Sequence, residues 1–478
     1  MLNSATMPSL KTIADLPAPS GLPVVGNLLQ LDLAHFHQQL ERWCDELGPI
    51  FKVKMGRREI VCVADTEAIN ELLKRRPDVY RRGSAIEKVS DELGVKGVFS
   101  AEGDEWRTQR KVVAQALNSA HINRFFPKLC VTTERLLRRW QKAAQAKDSV
   151  DLCRDVMRYT VDVTTQLAFG VDFNTLESDG PVVQHHLDKV FPILHRRINS
   201  PFPYWRYIKL PSDRELDKAL AAVKETVTGF VVECRKNMQQ SAELHDSPSN
   251  FLEAVIAAQT SETGHDFTDE QIYANIMTLL LAGEDTTANT IAWVCKYFID
   301  HPEYFARARA EADAVIGEQS IISDSADLRS LSFIEACVNE AMRIRPVGPI
   351  FPMESIKAVE LMGYAIPPRT PIIGLTRYIA VAAQNFSDPN TFNPDRWLTS
   401  TENTEQRHNT EAYMPFGTGP RFCPGRNLAL TEIKMVIAML CRHFDIALSA
   451  PDVPVEEKLA FAMTPINLDV IFRRRAAN

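Results

Sequence analysis

The chain has 478 residues, 45% hydrophobic and 24% charged, and carries a formal net charge of −7. Those proportions belong to a globular protein with a large core, and they exclude a disordered or fibrous chain. The acidic balance and the lack of a long basic block exclude a nucleic-acid footprint.

Residues 1–30 read as an N-terminal arm. Its opening, MLNSATMPSLKTIADLPAPS, lacks the basic-then-apolar order of a signal peptide, and its end, PAPSGLPVVGN (Pro17 to Asn27), is a turn-rich extended entry fixed by prolines and glycines. Residues 31–478 read as a single domain. Ile50 to Asp65 alternates apolar and polar residues about a glycine turn and predicts a β-hairpin. Helical periodicity follows in Thr133 to Ala144, Glu215 to Met238 and Phe267 to Asp300, while Gln239 to Asn250 is polar and predicts a surface loop. A second extended region, about Val347 to Ala380, is expected to pair with the hairpin as a small sheet. The fold class is therefore mainly α with a smaller β region. Arg473 to Arg475 reads as a solvated tail. No run approaches the roughly 20 apolar residues that span a bilayer. Nine cysteines stand singly with no Cys-x-x-Cys pair, which argues against a zinc ribbon or disulfide framework and for a reducing compartment. A cytoplasmic monomer without a transmembrane anchor is expected.

The stretch FGTGPRFCPGR, Phe416 to Arg426, sets one cysteine among glycines and arginines. A thiolate inside a protein needs hydrogen-bond donors, positive charge or a metal. Gly417, Gly419 and Gly425 let backbone N–H groups approach closely. Pro424 is expected at the first position of the strongly helical segment that follows, which places Cys423 at a helix N-terminus where the dipole favours negative charge. The pattern Phe-x-x-Gly-x-Arg-x-Cys-x-Gly fixes five residues in ten positions.

On this pattern the sequence resembles the cytochrome P450 family of haem-thiolate monooxygenases, over nearly the whole chain. The resemblance implies the P450 fold, a haem b with Cys423 as its axial iron ligand, Phe416 packed beside the cysteine, and Arg421 on a haem propionate. It implies that Asp285 and Thr286, in LLLAGEDTTANT, form an acid–alcohol pair that relays protons. At helical spacing Ile276, Leu279, Gly283, Thr286 and Thr290 share one face, with Gly283 expected to open room for oxygen. Glu340 and Arg343 of NEAMRIRP would join Arg396 of FNPDRW in a buried structural triad. Trp106 and Arg110, four apart in EGDEWRTQR, would hold a propionate. One departure stands out: where relatives usually carry a further propionate-binding arginine, the register from Gly363 and Tyr364 places Met353.

The same resemblance maps the substrate pocket to the Gly83 to Ser100 loop, a region from about Val182 to Asp213, the long helix, Val347 to Ile350 and the turn FAMTP. Its candidate residues are Leu93, Val98, Leu279, Ala282, Val347, Ile350, Met463 and Thr464, mostly apolar, which implies a lipophilic substrate such as a fatty acid, terpene or steroid. The aromatic loop Asn199 to Pro211 is expected to pack on itself within a lid; a shallow membrane contact is the alternative. With no fused reductase in the sequence, electrons would come from a separate ferredoxin or flavoprotein, docking at Arg107, Lys111, Arg426 and Lys434. The expected reaction is insertion of one atom of O2 by hydroxylation or epoxidation. A peroxygenase, a haem-thiolate isomerase or dehydratase, and a non-enzymatic haem sensor are the alternatives.

Overall fold

A computed structural model of the chain describes residues 10–178, 202–241, 246–259, 267–398 and 408–475, with residues 190, 193, 194, 196–198, 200 and 244. The first nine residues of the arm, and the part of the Val182 to Asp213 region before residue 202 other than those single residues, lie outside them. The architecture is mainly α with smaller sheets. It groups into two compact units: Met1–Ser84, Gly348–Pro389 and His408–Phe422 in one, Ala85–Val347, Asn390–Arg407 and Cys423–Asn478 in the other.

The first unit is built on a five-stranded sheet. Ile50–Met55 and Arg58–Val63 form the hairpin expected from their alternation, with Val53 opposite Ile60. Pro371–Gly374 lies parallel to the second hairpin strand, Phe351–Ser355 lies antiparallel to Pro371–Gly374, and Tyr80–Arg82 closes the edge. The expectation that the 347–380 region pairs with the hairpin holds. Fully buried Phe51, Val61, Cys62, Val63 and Ile372 make its core.

The second unit is helical. Its longest helix, Asp269–Asp300, starts at a capping box in which the Thr268 hydroxyl accepts from the Gln271 N–H and the Gln271 side chain accepts from the Thr268 N–H. This helix packs against Leu152–Phe169. Gly283 allows the approach: a Cβ there would lie 3.0 Å from the Thr164 hydroxyl oxygen. The missing side chain of Gly283 thus serves helix packing, a role its expected task of making room for oxygen did not include. The helices Ser119–Ala146 and Arg426–His443 share this core, and Trp140 stacks on Phe472 of the C-terminal strand Asp469–Arg474 at 4.6 Å.

Four local expectations are corrected. Arg473 and Arg474 end that strand, and Arg475 donates to the Asp313 carboxylate and to the carbonyls of Cys441 and Arg442, so the arginine run is a clasp rather than a tail. Helix Arg426–His443 begins two residues after Pro424, with Gly425 as its N-cap. The Gly83 to Ser100 segment is not all loop, because Ser84–Glu92 is helical. The 239–250 segment opens inside helix Pro211–Gln240, and its residues 242, 243 and 245 lie outside the described ones.

Glu432, on helix Arg426–His443, is 2% exposed, and burial raises its pKa well above the ordinary 4.5. The folded state then holds a proton that the unfolded state releases above pH 4.5, so folding stability falls as pH rises from there to the folded pKa. Glu432→Gln removes that loss. Its stability relative to the parent, followed by urea denaturation from pH 4.5 to 8, is expected to improve by up to about 1.4 kcal/mol per pH unit.

Candidate functional site

Within the helical unit Cys423 is half-buried, two residues before the N-cap Gly425. Burial raises its thiol pKa; the backbone N–H groups of Gly425 and Arg426 and the guanidinium of Arg110 pull it down without cancelling the rise. Cys153, by contrast, is pushed up to about 12 by burial and by the neighbouring carboxylates of Asp151 and Asp469. Cys423 therefore has donors and charge arranged for a thiolate, and a cation at the sulfur would complete its stabilisation. Arg110, whose charge acts on the sulfur, lies on helix Gly103–Ala116, where it is half-buried and where Trp106, four residues earlier, is 6% exposed.

The preceding half of the cysteine loop belongs to the sheet unit. Gly419 has φ +71°, and a Cβ there would lie 2.7 Å from the Leu73 carbonyl oxygen, so this turn sits on helix Thr66–Lys74 only as glycine. Phe416 and Gly417 are half-buried, the Phe351 ring packs beside Gly417, and Nη1 of Arg421 is buried.

On the long helix the Thr286 hydroxyl donates to the Ala282 carbonyl at 2.8 Å, the back-bonding expected of a mid-helix threonine. Asp285 beside it is half-buried. Thr278, Leu281 and Ala282 line a cleft with Ile86, Val95 and Phe99, and Phe461 closes it, its ring 5.9 Å from that of Phe99. This is not the face expected from spacing. Ile276 and Thr290 are buried, and the cleft lies over positions one residue earlier than Leu279 and Gly283.

Of the eight pocket candidates, Ala282 lines this cleft. Val98 and Met463 are buried: the Val98 N–H donates to Asn275 Oδ1 at 2.9 Å and the Met463 N–H to the Val347 carbonyl at 2.8 Å. Thr464 accepts from Asn289 at 3.0 Å. Leu93, Leu279, Val347 and Ile350 are half-buried outside the lining. FAMTP is not simply a turn: Met463–Ile466 is a strand paired with Glu456–Leu459, and Phe461 at the hairpin tip is what reaches the cleft.

Three features were absent from the sequence reading. Asn275 holds Val98 and also donates to Gln109 at 3.1 Å, tying the cleft wall to helix Gly103–Ala116. At Gly97 a Cβ would lie 2.4 Å from the Ala274 carbonyl oxygen, so the wall approaches the long helix as closely as backbone allows. In the aromatic loop Trp205 is buried and donates to Glu92 at 2.9 Å, while exposed Phe202 and Tyr207 stack on each other; Asn199 and Pro201 lie outside the described residues. An Asn on an apolar helix face was the one signal available for the first.

Glu340, Arg343 and Arg396 do come together. Glu340 accepts from both arginines at 2.9 Å, from the Asn393 N–H at 3.0 Å and from Trp397 Nε1 at 2.9 Å, with Glu340 and Arg343 fully buried. Trp397 is a member that the motif did not announce. Lys434, expected on a docking surface, is instead buried, its ammonium bonded to Glu335 and to the Leu328 carbonyl. Arg107, Lys111 and Arg426 are exposed.

The family model for cytochrome P450 matches residues 16–472. The chain belongs to the cytochrome P450 family. It is 26% identical to the Arabidopsis thaliana protein LUTEIN DEFICIENT 5, chloroplastic, over 86% of this chain and 69% of that one, and 26% identical to cytochrome P450 97B2, chloroplastic, of Glycine max, over 87% and 78%. A self-sufficient cytochrome P450 monooxygenase of Penicillium freii is 24% identical over 95% of this chain, which spans 43% of that longer protein. In fold the chain is similar to the crystal structure of the cytochrome P450DA heme domain, with a TM-score of 0.84 at 22% identity, covering 96% of this chain and 98% of that one. As a P450 it is a monooxygenase whose cofactor is a haem with cysteine thiolate ligation, acting with O2 and a redox partner. The donor set fits that group: a half-buried sulfur with two backbone N–H donors and the charge of Arg110 acting on it. Among the described residues no helix is long and apolar enough to cross a membrane.

Proposed function

We propose that Cys423 is the axial ligand, that Arg421, Arg110 and Trp106 bind the haem propionates beside Phe416 and Gly417, and that the P450 inserts one oxygen atom into a C–H or C=C bond of a lipophilic small molecule such as a fatty acid, terpene or steroid. The observation that carries the reading is the environment of the Cys423 sulfur, where donors and Arg110 oppose burial. When bound, the haem supplies oxygen activation, which thiolate ligation favours. The residues of the chain do the rest. Ile86, Val95, Phe99, Leu281 and Phe461 offer apolar contact to the substrate and exclude water, while Ser90, Ser100 and Thr278 give it a few polar contacts. Asp285 takes protons from solvent, and the Thr286 oxygen accepts a hydrogen bond from water and holds that water in place. A separate ferredoxin or flavoprotein supplies electrons, with Arg107, Lys111 and Arg426 as its basic contacts.

Titrating fatty acids, terpenes and steroids into the haem-loaded protein is expected to give a spin-state shift with one class, and labelled O2 is expected to place one labelled atom in its product. No shift across the panel would remove the lipophilic-substrate reading. In Thr286→Ala, product formation is expected to fall on the order of a hundredfold while reducing equivalents appear as hydrogen peroxide; full coupling to product would count against the relay.

A further inference from the structure

The cleft of the helical unit is apolar except for three hydroxyl side chains, Ser90, Ser100 and Thr278. Ser90 and Ser100 are 5% and 2% exposed. On helix Ser84–Glu92, Ser90 follows Ile86, another lining residue, at the four-residue spacing that puts two side chains on one face. A serine inside a helix often bonds back to the preceding turn. Ser90 does not, and among the described residues neither its hydroxyl nor that of Ser100 has a hydrogen-bond partner. Their backbones are nonetheless fixed: the Ser90 carbonyl accepts from the Val95 N–H at 2.9 Å, and the Ser100 N–H donates to the Gly97 carbonyl at 3.0 Å. Thr278 meets the same stretch of wall, since a Cβ on Gly97 would lie 2.2 Å from its hydroxyl oxygen. Its hydrogen goes to the Ala274 carbonyl at 2.9 Å, so it offers lone pairs alone. Among the described residues no charged side chain lines the cleft.

We propose that the substrate is a neutral alcohol on an otherwise apolar skeleton, whose hydroxyl takes the hydrogens of Ser90 and Ser100 and gives its own to a lone pair of Thr278. An alcohol matches this set because its oxygen has two lone pairs to accept with and one hydrogen to donate. A hydrocarbon leaves two buried serine hydroxyls without partners. An ionised carboxylate has no hydrogen to give, and its charge enters a site with no cation to receive it. The inference rests on the reading of this cleft as the substrate site, and it narrows the lipophilic substrate to one that is not a free fatty acid.

The test is calorimetric titration of the haem-loaded protein at neutral pH with matched ligands on two skeletons: decanol, decanoic acid and decane, then menthol, menthane carboxylic acid and menthane. On at least one skeleton the alcohol is expected to bind about tenfold tighter than the hydrocarbon, and tighter than the acid by at least as much. Ser90→Ala and Ser100→Ala are each expected to weaken the alcohol about fivefold, and the double variant to bind alcohol and hydrocarbon alike. Hydrocarbon affinity should stay at the wild-type value in all three variants, which separates a lost hydrogen bond from a damaged cleft. An alcohol advantage that survives in the double variant comes from elsewhere, such as the iron, and overturns the proposal. So does an acid or hydrocarbon that binds the wild type as tightly as the alcohol. If no ligand on either skeleton binds, the lipophilic-substrate reading falls together with this one; if ligands bind without regard to the hydroxyl, this one falls alone.

Discussion

Cys423→Ser is expected to abolish the red-shifted Soret band of the reduced carbon monoxide complex and to cut haem retention at least tenfold. The hydroxyl keeps the shape of the thiol and the two N–H donors of Gly425 and Arg426, but a serine alkoxide is out of reach at neutral pH, so the ligand is lost while the loop remains. Circular dichroism of the variant should match the parent. Cys130→Ser is the control, since that sulfur donates to the Ile322 carbonyl and has no part in the cysteine loop; it should leave the band in place. A Cys423→Ser protein with an unchanged band would remove the ligand assignment.

Glu340→Ala is expected to lower stability by about 3–5 kcal/mol, measured as the shift of the urea unfolding transition. The carboxylate is the shared acceptor of two guanidinium groups, a backbone N–H and an indole N–H, and nothing about it is exposed. Without it Arg343 and Arg396 stay behind as two buried like charges, and the cost of that exceeds the value of the bonds lost. Trp397→Phe removes one neutral donor from the same carboxylate and should cost about 1 kcal/mol. If the two variants are equally mild, the triad is not a charge-compensated unit.

The large elements were legible because their signals are local. Alternation in Ile50 to Asp65 and capping plus periodicity in Phe267 to Asp300 need no knowledge of neighbours. What spacing leaves open is the phase of a helix against its surroundings. Lys434 has the composition of a surface residue, yet its turn of helix faces the core, where Glu335 and a carbonyl receive the charge. The cleft lies over Thr278, Leu281 and Ala282, while Gly283 packs on Thr164. Phe461, at the hairpin tip, lines the cleft, while Met463 is buried with its N–H bonded to the Val347 carbonyl. The cysteine loop and the Glu340 triad were readable because each is a set of chemically unusual residue types whose spacing is fixed by bonding. Trp397 and Asn275 escaped because an indole or amide donor has no spacing of its own.

The bond from the Thr286 hydroxyl to the Ala282 carbonyl has a directional consequence. A hydroxyl has a single hydrogen to give. With that hydrogen committed to the backbone, the oxygen offers its surroundings only lone pairs, so at rest it can accept a hydrogen bond from water but has no hydrogen to give. For the hydroxyl to donate elsewhere, the side chain must turn away from the helix, giving up a bond worth roughly 1 kcal/mol. In the proposed relay the residue would behave as a turnstile, closed by its own helix and opened by whatever offers the hydrogen a better acceptor.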